Sequence, residues 1–327
     1  GRNKLAPCMG DGCKFGVVRR ALSFGAYVTA DLFLPDQALV MKRAGKAAEP
    51  LPVVLLLPGH SYHTGVTGAY TLMKSDTQGG LIHAMAARGV AVLVWDTTGM
   101  GMRQHVDGAP RFYRRHPEGS RLGVMVGEVL AALDFVHCAS VYAGAECSDG
   151  EAHTSTYPAL ELPLLDPNRV YALGYSLGSI VALHAAALAA EERPVAGVAA
   201  FAGWTPWRTG AGGEATGGLR LLYETFALLP RLGYFDSDPG AVPYDYDELI
   251  ASLAPRPMLL YAPQGNRFAN ATDVQSSIEE ARSAWSAKGA AAAFEAHTPE
   301  DAPSDMKSIE ISVALEWIER VVLGLAQ

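Results

Sequence analysis

A serine set between two glycines, in Gly174-Tyr175-Ser176-Leu177-Gly178, is the stretch of this chain best suited to covalent chemistry. Apolar residues 170–173 precede it and the apolar stretch 177–190 follows, so the spacing predicts strand, tight turn and helix with Ser176 at the apex. Glycine at 174 and 178 removes the Cβ atoms that would clash where strand and helix cross, and the serine Oγ is then held clear of the backbone as a nucleophile. Leu177 supplies a backbone N–H at the helix start, where partial positive charge can meet a developing oxyanion. A second donor is expected after the apolar run 52–57, where His60 follows Pro58-Gly59; its N–H fits that place and its imidazole reads as a wall of the site. A G-x-S-x-G match is weak by itself in a chain with 34 glycines, and the strand-to-helix setting is what gives this one meaning.

Those groups need a scaffold that brings them to one place. Residues 15–19 and 26–34 are β-rich around the turn-like Ser23-Phe24-Gly25, which predicts an opening antiparallel hairpin. Residues 52–57, 90–95, 169–173, 195–201 and 257–261 are short branched-apolar runs of the kind buried on both faces of a parallel sheet, with a last strand at 291–296. Helical spacing marks 77–88, 123–137, 177–190, 273–288 and 306–325. Alternation of this kind predicts an α/β fold with a doubly wound, mostly parallel sheet. Residues 138–166 read as a long irregular insertion. Residues 203–246 also break the alternation, with one amphipathic stretch at 219–229 that ends at Pro230. We read residues 1–327 as one domain, with 203–246 as a cap that sets Trp204, Trp207, Tyr223 and Phe226 over the site; a surface excursion unrelated to substrate is the other reading.

With the strand order and elbow in view, the chain resembles the α/β-hydrolase superfamily. The stretches 52–70, 111–126, 174–206, 229–233, 243–249 and 254–257 resemble serine esterases of the acetyl xylan esterase and dienelactone hydrolase kind. The resemblance implies a Ser176 acyl-enzyme that cleaves a carboxylic ester, an acylated sugar or other small ester, with no metal or organic cofactor. It also implies an acid after strand 257–262 and a histidine after the last strand. The matching acid position reads Asn266, which can orient an imidazole but cannot stabilise an imidazolium by charge. Asp273, seven residues on, suits the first turn of the next helix better. The loop at 299–305 has no histidine, which leaves His297 at the strand's end as the expected base, with His63 as a rival and His184 awkwardly placed on the elbow helix. The absence of both usual partners motivates the alternative reading, a hydrolase-fold protein that binds a ligand or partner without catalysis.

Composition narrows the partners. Apolar residues make up 49% and charged residues 18%, enough for a large core. A net charge of −8 with no basic block argues against nucleic acid or an anionic membrane surface as the main partner. The apolar runs are far shorter than the ~20 residues needed to span a bilayer. No charged and apolar leader stands at the start, so a targeting segment was either trimmed or never present. Four cysteines fall into local pairs, Cys8 with Cys13 and Cys138 with Cys147, which suits disulfides and a secreted or periplasmic setting; four unlinked thiols are the other reading. Neither pair has the spacing of a zinc site.

Overall fold

Alternation within the branched strands decides which side of the sheet each residue feeds. In the strand Leu51–Leu57, Val53, Leu55 and Leu57 point into one hydrophobic cluster and Val54 and Leu56 into the other, all of them buried. Such a strand is covered on both faces, which is why its sequence is continuously apolar. The computed structural model describes residues 16–25, 28–36, 49–60, 80–104, 109–141, 165–209, 218–266, 268–300 and 308–325.

Eight strands form the sheet: β1 (Val17–Phe24), β2 (Val28–Pro35), β3 (Leu51–Leu57), β4 (Ala91–Trp95), β5 (Leu165–Tyr175), β6 (Gly197–Phe201), β7 (Met258–Tyr261) and β8 (Phe294–His297). Their order is β1-β2-β4-β3-β5-β6-β7-β8. The opening hairpin pairs antiparallel with itself and with β4, and the ladder from β4 to β8 is parallel. The helices are α1 (Gly80–Ala87), α2 (Ala109–Arg115), α3 (Arg121–Val141), α4 (Leu177–Leu188), α5 (Tyr246–Ala251), α6 (Ala271–Ala287) and α7 (Ser308–Trp317). Residues of α3, α4, α5 and α6 fill one cluster, and those of α1 and α7 fill the other.

Several boundaries differ from the sequence expectation. The stretch 219–229 is not one helix: a helical turn at Gly218–Arg220 passes into a π-type turn at Leu221–Thr225 and stops, because Ala227 adopts a left-handed φ of 46°. A 3₁₀ turn, Pro230–Phe235, follows. Residues 291–293 form a 3₁₀ turn, so the last strand starts only at Phe294; a run of alanines has no branched side chains to favour the pleat. Helix α3 extends through the first four residues of the expected 138–166 insertion, and residues 142–164 lie outside the described ones. Cys138 is disulfide-bonded, while the expected pairings rest on Cys8, Cys13 and Cys147, all outside the described residues.

Register delivers the site. Leu57 pairs with Gly174, Tyr175 with Phe201, Phe201 with Tyr261, and Tyr261 with His297, so the strands end at one level. The chain leaves β3 in one direction along the sheet and β5 in the other. A crevice therefore opens beyond the carboxyl ends of these two strands, where ligands bind in open α/β sheets.

Candidate active site

Strand β5 runs through Tyr175 and α4 starts at Leu177, leaving one residue to reverse the chain. Ser176 does so at φ 53°, ψ −118°, a conformation costing on the order of 1–3 kcal/mol for a side-chain-bearing residue. The turn is braced from both sides. The Ser176 N–H donates to Phe201 O at 2.8 Å, and the fully buried Ser179 hydroxyl lies 2.9 Å from Gly174 O and 3.0 Å from Phe201 O. Two glycines make the crowding possible. A Cβ on Gly178 would lie 1.9 Å from Leu57 O, and one on Gly203 would lie 2.1 Å from Ser176 O.

The turn opens into a cavity of about 560 Å³. His60, Tyr175, Ser176, Leu177 and Ile180 line one part of it, Leu221, Leu222, Phe226 and Leu228 another, and Ala202, Gly203, Asn266 and Phe268 the rest. The three described non-glycine residues with positive φ are Ser176, Ala202 and Ala227. Two line the cavity and the third lies between Phe226 and Leu228, so the backbone strain is concentrated there.

Most of the expected site residues meet in this cavity. Ser176, Leu177, His60, Asn266 and Phe226 all line it. As the first residue of α4, Leu177 has an N–H with no intrahelical acceptor. The His60 ring packs against Phe226 with centroids 4.4 Å apart, and its pKa is lowered by burial and then by the Arg121 charge. Asn266 is buried, and its Oδ1 accepts the Phe268 N–H at 3.1 Å.

His297 lies elsewhere. Ala296 packs against the cluster of α3 and α4, so the next residue along the strand turns to the opposite face. There its Nε2 meets Glu295 Oε1 at 2.7 Å, and Arg320 pairs with the same glutamate. The partnership with His297 leads the causes that hold the Glu295 carboxyl below its ordinary pKa. His184 is interior, with Nδ1 2.8 Å from Ile180 O and Nε2 2.9 Å from Tyr244 Oη. His63 lies outside the described residues. Asp273 sits in the first turn of α6, as expected.

Of the other aromatic residues expected above the site, Trp204 and Trp207 are buried in the main core against Tyr246, and neither lines the cavity. Asp245 ties this segment down: its carboxylate accepts the backbone N–H groups of Trp207, Arg208 and Tyr246. Tyr223 packs near Gly233 instead, and it too lies off the cavity.

What the sequence analysis missed is the support for the Phe226 wall. The Tyr113 hydroxyl is 2.7 Å from Ala227 O and 3.3 Å from Leu228 O, and the Leu122 N–H donates to Leu228 O at 3.2 Å. The Arg121 guanidinium donates to Phe226 O at 3.3 Å. Ser179 was also missed, although a lone hydroxyl three residues after Ser176 on an otherwise apolar helix start was a readable signal. Among the described residues no cluster of three or more His, Cys, Asp or Glu is arranged to hold a metal, and no helix is long and apolar enough to cross a membrane.

No family model matches this chain, and no curated protein does. Solved structures do. A carbohydrate esterase family 15 glucuronoyl esterase from Caldicellulosiruptor kristjansonii is 17% identical, with TM-score 0.60, covering 97% of this chain and 81% of its own. A glucuronoyl esterase from Solibacter usitatus is 13% identical, with TM-score 0.62 and coverage of 98% and 84%. A sugar hydrolase from Lactococcus lactis is 15% identical, with TM-score 0.55 and coverage of 94% and 100%. At such identities the likeness speaks for architecture, and together with the strand order and the elbow it shows that this chain has the α/β-hydrolase fold.

Proposed function

We propose that this protein is a serine hydrolase of carboxylic esters, acting on a small or sugar-borne ester through a Ser176 acyl-enzyme. The observation that carries this is the strained backbone at Ser176, braced by buried hydrogen bonds and opening into a cavity beside a helix start. A merely structural turn has no need to store strain there. Esterases among the similar structures agree with an ester substrate.

In the reaction, Ser176 Oγ attacks the ester carbonyl carbon and its proton passes to the imidazole of His60. The carbonyl oxygen becomes an oxyanion facing the Leu177 and His60 N–H groups. Collapse breaks the bond to the alcohol, which leaves with the proton from His60, and water then repeats the sequence to release the acid. His60, and not His297, serves as the base in this scheme, because His60 lines the cavity with Ser176 while His297 pairs with Glu295. Its lowered pKa keeps His60 neutral and able to accept a proton near pH 7. Asn266 contributes no charge, so turnover is expected to fall short of that of a full Ser-His-Asp triad. Within 203–246, Leu221, Leu222, Phe226 and Leu228 act as the cap in this scheme.

One observation favours a second reading, ligand binding without catalysis: among the described residues, no carboxylate lines the cavity. Hydrolysis of p-nitrophenyl acetate and butyrate by the protein and its Ser176→Ala variant separates the two. Turnover abolished by the substitution is expected; equal rates in both proteins would leave the elbow as scaffold.

A further inference from the structure

Arg121 occupies an expensive position. It is 3% exposed and begins α3, where the helix dipole already places positive charge. No carboxylate pairs with it among the described residues. Its Nε has no hydrogen-bond partner, and its Nη1 donates only to the neutral carbonyl of Phe226 at 3.3 Å. Glu128, two turns along the same helix, is taken by Trp95, Thr97, Thr98 and Arg103. Room for the guanidinium comes from Gly99, whose φ is +83° and where a Cβ would fall 2.1 Å from Nη2. A buried cation at the positive end of a helix, with no carboxylate partner among the described residues, costs folding stability, and negative charge that develops nearby would be attracted to it.

The charge lies behind the wall of the cavity. Arg121 holds Phe226 by its carbonyl, and the Phe226 ring lies against His60. Both residues line the cavity with Ser176. We propose that Arg121 is an electrostatic positioning residue, whose guanidinium stabilises the oxyanion that forms when Ser176 attacks an ester. This rests on the serine-hydrolase reading above. The same charge opposes an imidazolium at His60, so removing it should act in two opposite ways: the oxyanion loses stabilisation while His60 becomes more basic.

The test compares the wild type with Arg121→Met, Arg121→Gln and Arg121→Lys, measuring kcat and KM on p-nitrophenyl butyrate across pH, inhibition by phenylboronic acid, and thermal unfolding. The boronic acid forms a tetrahedral anion on a serine Oγ, so it reads oxyanion stabilisation without turnover. A unit charge acting over about 8–12 Å at an effective dielectric of about 20 is worth roughly ten- to thirty-fold. The neutral variants should lose up to that factor in boronate affinity, lose less in kcat because the same charge opposes the imidazolium formed at His60, keep KM within about two-fold of the wild type, and move the acidic limb of kcat/KM to higher pH. Arg121→Lys should recover part of the loss. Wild-type kcat and boronate affinity in either neutral variant would overturn the proposal, as would a loss shared equally by the lysine variant. If Ser176→Ala keeps full activity, the serine reading falls regardless of Arg121; if Ser176→Ala is inactive and the neutral variants are not impaired, only the role of Arg121 falls.

Discussion

Gly178→Ala would add one methyl group at the point where α4 passes over the end of β3. The new carbon would lie 1.9 Å from Leu57 O, 2.5 Å from Leu57 C and 2.9 Å from Pro58 O, whereas ordinary contact begins at 3.4 Å. The atoms in its way are backbone, so no rotamer change relieves the overlap; the strand end or the helix must move by about 1.5 Å. The residues displaced are those leading to His60, one of the two proposed oxyanion donors. Backbone overpacking costs typically 1–3 kcal/mol, and here there are three overlaps, so we expect a loss of at least ~3 kcal/mol. A misplacement of about 1 Å is worth on the order of 10²-fold in rate. Urea unfolding and p-nitrophenyl butyrate kinetics measure both. Gly127→Ala is the matched control, because Gly127 is exposed in the interior of α3 and its added carbon would meet nothing within 4 Å. It should be neutral or stabilising by up to about 1 kcal/mol. A Gly178→Ala protein as stable and as active as the Gly127→Ala control would refute the claim that the close approach of elbow and β3 builds the site.

His83 is buried with both ring nitrogens unpartnered, and its pKa is lowered by burial, as are those of His60 and His184. Because the folded pKa is depressed in each case, their contribution is fully present above the unfolded value of about 6.5 and is lost as pH falls from there to the folded value. Urea titrations should therefore show stability dropping below about pH 6.5, with a smaller drop in His83→Leu. Asp245→Ala would strip three backbone N–H groups of their acceptor and remove the cap of α5; a destabilisation of at least ~3 kcal/mol is expected by chemical unfolding, with Asp245→Asn milder. Tyr113→Phe would release Ala227 O and Leu228 O, and should raise KM several-fold at a stability cost of about 1–2 kcal/mol, read by kinetics and thermal melting.

Much of the fold was legible because buried parallel strands leave a plain signature. Runs such as 52–57 and 90–95 are apolar on both faces, and Gly89 and the Gly174/Gly178 pair punctuate them. The elbow was legible because its glycine spacing falls between a strand-like apolar run and a helix-like one, the setting in which a local backbone constraint calls for it. What escaped depends on partners distant in sequence. Arg121 and Tyr113 look like ordinary members of a charged segment until the chain returns at 226–228 to meet them. Trp204 and Trp207 look like cap aromatics, but Asp245, about 40 residues on, holds their segment inside the core. The amphipathic spacing at 219–229 was real, yet tertiary contacts at Leu228 and the left-handed Ala227 end the helix early. His297 shows how a residue chosen by its position in the chain can lie off the cavity, because a shift of one residue along a strand reverses the face.

The central claim is that Ser176 becomes acylated. The protein is mixed with p-nitrophenyl acetate, quenched in acid within the first turnovers, digested and analysed by mass spectrometry. One acetyl group on the peptide containing Ser176, absent from the Ser176→Ala protein, is the expected result. Hydrolysis of the ester with no acetylation at Ser176, or with acetylation at another residue, would contradict it.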